Sequence, residues 1–122
     1  MNINKNSGQV QIIGLYGSVY LYTHDTANTL VSDVYDALKV GKRWDDPDYL
    51  SKMIFCRMLP LECWLEDKGF GIGTQLYNDV NLLITVNTVQ QIITIHSMED
   101  KYEKIMLTFE EFVESYASNA SL

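Results

Sequence analysis

Apolar residues along the chain recur first at every second position, then at every third or fourth, and then at every second again. Residues 9–24, QVQIIGLYGSVYLYTH, alternate apolar with polar positions on either side of a break at 14–17, which predicts two β-strands. In the second, Val19 and Leu21 share one face while Ser18, Tyr20, Tyr22 and His24 share the other. The aliphatic face is core, and the tyrosine face offers rings with polar tips. From Asp25 the period lengthens. Ala27, Leu30, Val31, Val34, Ala37 and Leu38 lie at helical spacing behind Asp25 or Thr26 as N-cap, and Gly41 ends the run. A second helix is announced by Asp46 as N-cap with Pro47 at the first helical position, and Leu50, Met53, Ile54, Arg57 and Met58 follow before Pro60.

The second half returns to short strand-like runs, ECWLE, FGIGTQLYN, NLLITVN, QQIITIHS and KIMLTF, with hairpin turns expected at Asn78-Asp79 and Asn87-Thr88. TFEEFVESYA then closes the chain with a capping box, Thr108 and Glu111, opening a short helix whose Phe109, Phe112, Val113 and Tyr116 point inward. Strands that cluster instead of alternating with helices predict an α+β domain. The expected architecture is a mainly antiparallel sheet, with two helices inserted after the second strand and a short C-terminal helix. All 122 residues form one domain, with residues 1–8 expected to be an unstructured N-terminus.

Composition narrows the function classes. Sixteen acidic residues against nine basic ones give a net charge of −7, which repels duplex DNA and anionic membranes. No apolar run is long enough to span a bilayer, and the polar start MNINKNSGQ lacks an export segment, so a cytoplasmic location is expected. Cys56 and Cys63 lack the paired spacing of a zinc site and are expected to be buried thiols. No metal or cofactor is expected.

The motifs that carry enzyme chemistry are missing. There is no metal-binding His pair and no nucleophile elbow, and His24 and His96 are more simply hydrogen-bonding residues than an acid–base pair. GFGIG, residues 69–73, lacks both the dinucleotide-binding spacing and the Gly-Lys-Ser/Thr of a phosphate loop, and a strand follows it instead of a helix. Gly71 and Gly73 strip side chains from one strand face, either for a bulge or close packing, or for a ligand beside Phe70. In KRWDDPDY, residues 42–49, Lys42 or Arg43 suits a phosphate and Trp44 a base or subunit contact; the alternative is an ordinary loop whose acids favour the start of a helix. Arg57, within an apolar helical pattern, either snorkels outward or is partly buried against an anion from a ligand, a subunit or a carboxylate.

Taken in order, SVYLYTHD, RWDDPDYLSKMIFCRML, GFGIGTQLYNDVNLLITVN and LTFEEFVESY resemble the first-described type of Thoeris anti-defence protein of phages and prophages, over roughly residues 10–117. The resemblance implies a non-enzymatic sponge. It would bind the cyclic ADP-ribose isomer made by a bacterial TIR enzyme, in a homo-oligomer built from dimers, up to hexamers, with ligand pockets at subunit interfaces. Some proteins of that type also capture cyclic oligonucleotides at a separate site. On this resemblance Phe70 matches an aromatic of the signal pocket, Asn78 or Asn81 a polar contact, and the arginines Arg43 and Arg57 the RWDDPDYL and CRML segment. The residue chemistry is compatible with it: Gly71 bares the strand beside Phe70, Tyr20, Tyr22 and Trp44 offer rings, and His24 and Asp79 offer groups for hydroxyls. Asp25 stands where other members carry a tryptophan after YTH, which removes a stacking contact there. Two alternatives compete with the sponge. One is an enzyme degrading a cyclic nucleotide through His24 with Asp25 or Asp79; the other is an acidic protein–protein inhibitor suggested by the charge alone.

Overall fold

A computed structural model describes residues 4–59, 69–77, 79–97 and 104–120. The strands are β1 (Asn4–Ile13), β2 (Ser18–Thr23), β3 (Phe70–Gly73), β4 (Val80–Asn87), β5 (Ile92–Ser97) and β6 (Lys104–Thr108). The helices are α1 (Leu30–Leu38), α2 (Pro47–Met58) and α3 (Phe109–Ala120), with a 3-10 turn at Ala27–Thr29 leading into α1. The fold is α+β, with both inserted helices after β2 and the third at the C-terminal end, as the periodicity predicts.

The strands form one sheet in the order β3-β2-β1-β4-β5-β6. Every pairing is antiparallel except the central one between β1 and β4, so the sheet is mixed. That parallel pair follows from the chain's path, because a strand returning beside β1 after two helices and β3 is a crossover and not a hairpin. The hairpin expected across Asn78-Asp79 does not form, since β3 pairs with β2 and β4 with β1; Asn78 itself lies outside the described residues. Asn87 does start a turn, its side-chain oxygen accepting the Val89 and Gln90 amides at 3.1 and 3.0 Å. β1 begins at Asn4, so the stretch expected to be unstructured is strand from there onward. ECWLE and Cys63 lie outside the described residues.

Period-two alternation puts Val10, Ile12, Leu21, Ile84, Val86 and Ile93 on one sheet face, where they meet Leu30, Val34, Leu38, Leu50, Ile54, Phe109 and Phe112 from the helices. All three helices cover that face and leave the other open. The local start signals work as expected for two of them. Asp46 Oδ1 accepts the Tyr49 amide at 3.0 Å. Thr108 Oγ1 accepts the Glu111 amide while Glu111 accepts the Thr108 amide, at 3.1 and 2.9 Å. The first helix departs from expectation. Neither Asp25 nor Thr26 caps it by a side-chain bond; Thr23 Oγ1 accepts the Asp25 and Thr26 amides at 3.3 and 3.1 Å, and the chain enters through the 3-10 turn. Cys56 is exposed, because it falls on the solvent side of α2.

Where α1 passes α2, Asp33 carries the largest electrostatic consequence. Its carboxyl is raised from 3.8 to about 6, chiefly by burial, with a Thr29 hydrogen bond lowering it, Asp36 raising it and Arg57 lowering it. The folded chain therefore holds a proton up to about pH 6 that the unfolded chain releases near 3.8. Stability then falls as pH rises through that window. Asp33→Asn should remove this slope, gaining on the order of 1 kcal/mol at pH 7 once solvent screening is allowed for, and nothing below about pH 4. Urea melts of both proteins across that range check it.

Candidate functional site

The open face of the sheet is where side chains have no helix to meet. Gln9 and Gln11 of β1, Tyr20 and Tyr22 of β2, Leu83 and Thr85 of β4, and Thr94 and His96 of β5 lie there by register. One part of it is covered by the chain itself. After β3 the backbone turns across the face, and the fully buried Gln9 side chain holds it: its amide nitrogen donates to the Gln75 carbonyl at 2.8 Å, and its oxygen accepts the Tyr77 amide at 2.8 Å. Tyr77 is thereby set over the β2 side of the face, its ring edge-on to Tyr22 with centroids 6.1 Å apart.

Tyr22 is the centre of this arrangement, and GFGIG is what makes room for it. Gly71 is the register partner of Tyr22. A Cβ at Gly71 would stand 2.6 Å from Tyr22 Oη and 2.8 Å from its Cζ, and one at Gly73 would stand 3.2 Å from Tyr77 Oη. The ring thus lies on bare backbone, as aromatic side chains do when they cover a cross-strand glycine. His24 packs against Tyr22 with centroids 5.3 Å apart, and its amide donates to the Gly69 carbonyl at 2.6 Å. Together Ser7, Tyr22, His24, Tyr77 and Asp79 line a cleft of about 130 Å³ at the end of β2 and the start of β4. The Asn81 amide donates to Ser7 Oγ at 3.1 Å, tying β4 to the cleft wall.

Tyr22, His24, Asp79 and, through its neighbour, Gly71 thus come together, with Asn81 one contact behind. Asn78 lies outside the described residues. The other expected site residues go elsewhere. Phe70 is paired with Thr23, on the helix-covered side, and packs on Phe55 of α2 with centroids 5.7 Å apart; it and Gly71 point to opposite faces. Trp44 is committed to the fold, its indole N–H donating to the Leu38 carbonyl at 3.0 Å and its ring edge-on to Phe109. Arg43, at φ 55°, lies exposed in the loop before α2 with its guanidinium over the Tyr49 ring at 5.0 Å. Arg57 is exposed near the other end of α2, beside Asp33, so of its two alternatives the outward one holds: helical rotation turns it away from the core. His96 stands on β5, three strands from β2, roughly 14 Å away by strand spacing, so the two histidines do not share a site.

Tyr77 and Ser7 were missed in the sequence. Tyr77 follows three non-strand residues, and the Gln9 contacts, 66 and 68 positions away in sequence, place it. Among the described residues no Lys or Arg lines the cleft, and no group of His, Cys, Asp and Glu is arranged to hold a metal. No helix among them is long and apolar enough to cross a membrane. Compared with protein-family models, curated proteins and solved structures, the chain matches none of them.

If Gly71 exists to seat the Tyr22 ring, then adding one methyl there must displace it. Strand propensity alone would make Gly71→Ala stabilising by about 0.5–1 kcal/mol; overpacking reverses the sign, to a loss of about 1–3 kcal/mol. Ile72→Ala, at an exposed neighbour, should change stability by less than about 0.5 kcal/mol. Chemical denaturation of the two variants checks both values.

Proposed function

We propose that this chain is an anti-defence sponge of phage or prophage origin, which binds a cyclic ADP-ribose-type signal made by a bacterial TIR enzyme in the host cytosol and withholds it without degrading it. One observation carries the reading beside the sequence resemblance: Tyr22, Tyr77 and His24 gather their rings around a cleft that also holds the Asp79 carboxylate and the Ser7 hydroxyl. Rings of this kind suit a purine face, and a carboxylate suits the hydroxyls of a ribose. Stacking contributes roughly 1–3 kcal/mol per base and each charge-assisted hydrogen bond roughly 1.5–3 kcal/mol, so a few such contacts reach the nanomolar capture that a stoichiometric sponge needs.

The cleft is smaller than the roughly 300–1,000 Å³ of a pocket that encloses a whole small ligand. It takes one ring of the signal and leaves the pyrophosphate outside. In this reading a second copy completes the site within a dimer-based homo-oligomer, up to a hexamer, and the exposed Arg43 or Arg57 of a neighbouring copy meets the phosphates. A separate site for cyclic oligonucleotides belongs to the same proposal.

The presence of His24 and Asp79 in one cleft favours a second reading, hydrolysis of the same signal with His24 as acid–base. One assay separates the two. The protein is incubated with an equimolar cyclic ADP-ribose isomer and heat-denatured, and the released small molecules are identified by mass spectrometry. Sequestration predicts recovery of the intact cyclic signal, and Tyr22→Ala should weaken capture by about 10- to 100-fold. A linear ADP-ribose product in place of the cyclic signal overturns it.

A further inference from the structure

At the end of the sheet opposite the cleft, the fold displays apolar side chains that it does not use. The β1–β2 turn is GLYG, residues 14–17, closed by the Gly14 amide donating to the Gly17 carbonyl at 2.8 Å. Its two central residues are the most exposed large hydrophobics among those described: Leu15 is 75% accessible and Tyr16 fully so. Turn tips ordinarily carry Gly, Asn, Asp or Ser, so a Leu-Tyr pair there is unexplained by local structure. Nor is the tip loosely attached. A Cβ on Gly14 would lie 2.8 Å from Pro47 Cγ, so the turn sits directly against the start of α2. The β4–β5 turn is fixed to the same place, since Thr88 donates to the Ile13 carbonyl through both its amide, at 3.0 Å, and its hydroxyl, at 2.7 Å. That turn adds Val89, itself half exposed.

Between these three anchored pieces lie two adjoining hollows, of about 390 and 340 Å³, which share Leu15, Tyr16 and Pro47. The first also contains Asp45 and the second Asp48; among the described residues no Lys or Arg lines either one. The start of a helix ordinarily favours anions, but at α2 that preference is already met by Asp46 on the Tyr49 amide and by Asp48 in the first turn. The surface is therefore apolar and electronegative together.

We propose that this end of the sheet docks a basic segment of another protein, one in which an aliphatic or aromatic side chain is flanked by Lys or Arg. The apolar side chain sits beside Tyr16 and Val89, and the cations pair with Asp45 and Asp48. Charge decides between this partner and a second copy of the chain. Self-association through the same patch would bring Asp45 and Asp48 of both copies together in a molecule already at −7, and like charges at an interface repel. A basic segment gains from the same field. Tyrosine is among the residue types, with Trp and Arg, that dominate such contacts, and here it stands on an anchored turn.

The test uses the intact protein and a fluorescein-labelled peptide in which Leu and Trp alternate with Lys and Arg, followed by fluorescence anisotropy. Saturable binding is expected, weakened at least about tenfold by Tyr16→Ala and by Asp45→Asn with Asp48→Asn. Glu110→Gln with Glu114→Gln, on the exposed side of α3, should leave it unchanged, and a peptide with Ser in place of Leu and Trp should not bind. Tyr16 touches none of the cleft, so its replacement should leave signal capture intact, which keeps this outcome separate from that of the cleft. Three results overturn the proposal: equal loss from both pairs of acid replacements, unchanged binding by Tyr16→Ala, or Tyr16-dependent self-association in sedimentation.

Discussion

A single buried side chain determines what this sheet can present. Gln9 lies in the central strand β1 with no solvent contact, and it satisfies its amide group only by bonding the backbone of Gln75 and Tyr77. A buried amide left without partners costs about 1–3 kcal/mol, so the segment after β3 is held across the open face for as long as the sheet exists. Without that hold, Tyr77 has no reason to stand near Tyr22, and the cleft loses one wall. The side chain acts as a short extra strand, offering one donor and one acceptor to a piece of backbone that has left the sheet.

The glycines of GFGIG complete the same construction from the other side. Gly71 and Gly73 leave the surface on which the Tyr22 ring rests, and the ring in turn meets His24 and Tyr77. Phe70, which a reader of the sequence would place beside the bare patch, faces the helices and fastens the edge strand to Phe55. The motif is therefore a packing device with an indirect role at the site: the rings that its bare surface supports are those that line the cleft. Among the described residues the arginines are separated from these rings, with Arg43 and Arg57 on the helix layer, and no Lys or Arg lines the cleft.

Much of the fold was legible in the sequence because it depends on neighbours. Asp46-Pro47 and the Thr108/Glu111 box announce their helices within four residues, and the alternation in SVYLYT correctly separates Leu21 from Tyr22. Tyr22, His24 and Asp79 could be nominated by residue type and position. What failed depends on distant contacts. Trp44 reads like a free ring until its N–H is found on the Leu38 carbonyl. The TQLY stretch continues a strand pattern, yet it leaves the sheet because Gln9 draws it across the face. The parallel pairing of β1 with β4 is invisible to local pattern, since it is set by the path of the chain through both helices and β3.

Hydrogen exchange at the Tyr77 amide in Gln9→Met measures the central dependence most directly, because methionine keeps the volume and removes both hydrogen bonds. If Gln9 builds the cleft, exchange at Tyr77 should accelerate by at least about tenfold while Val10 and Ile84 in the sheet stay protected, a loss of roughly 1.4 kcal/mol or more of local protection. A Tyr77 amide as protected in the variant as in the native chain would contradict the account.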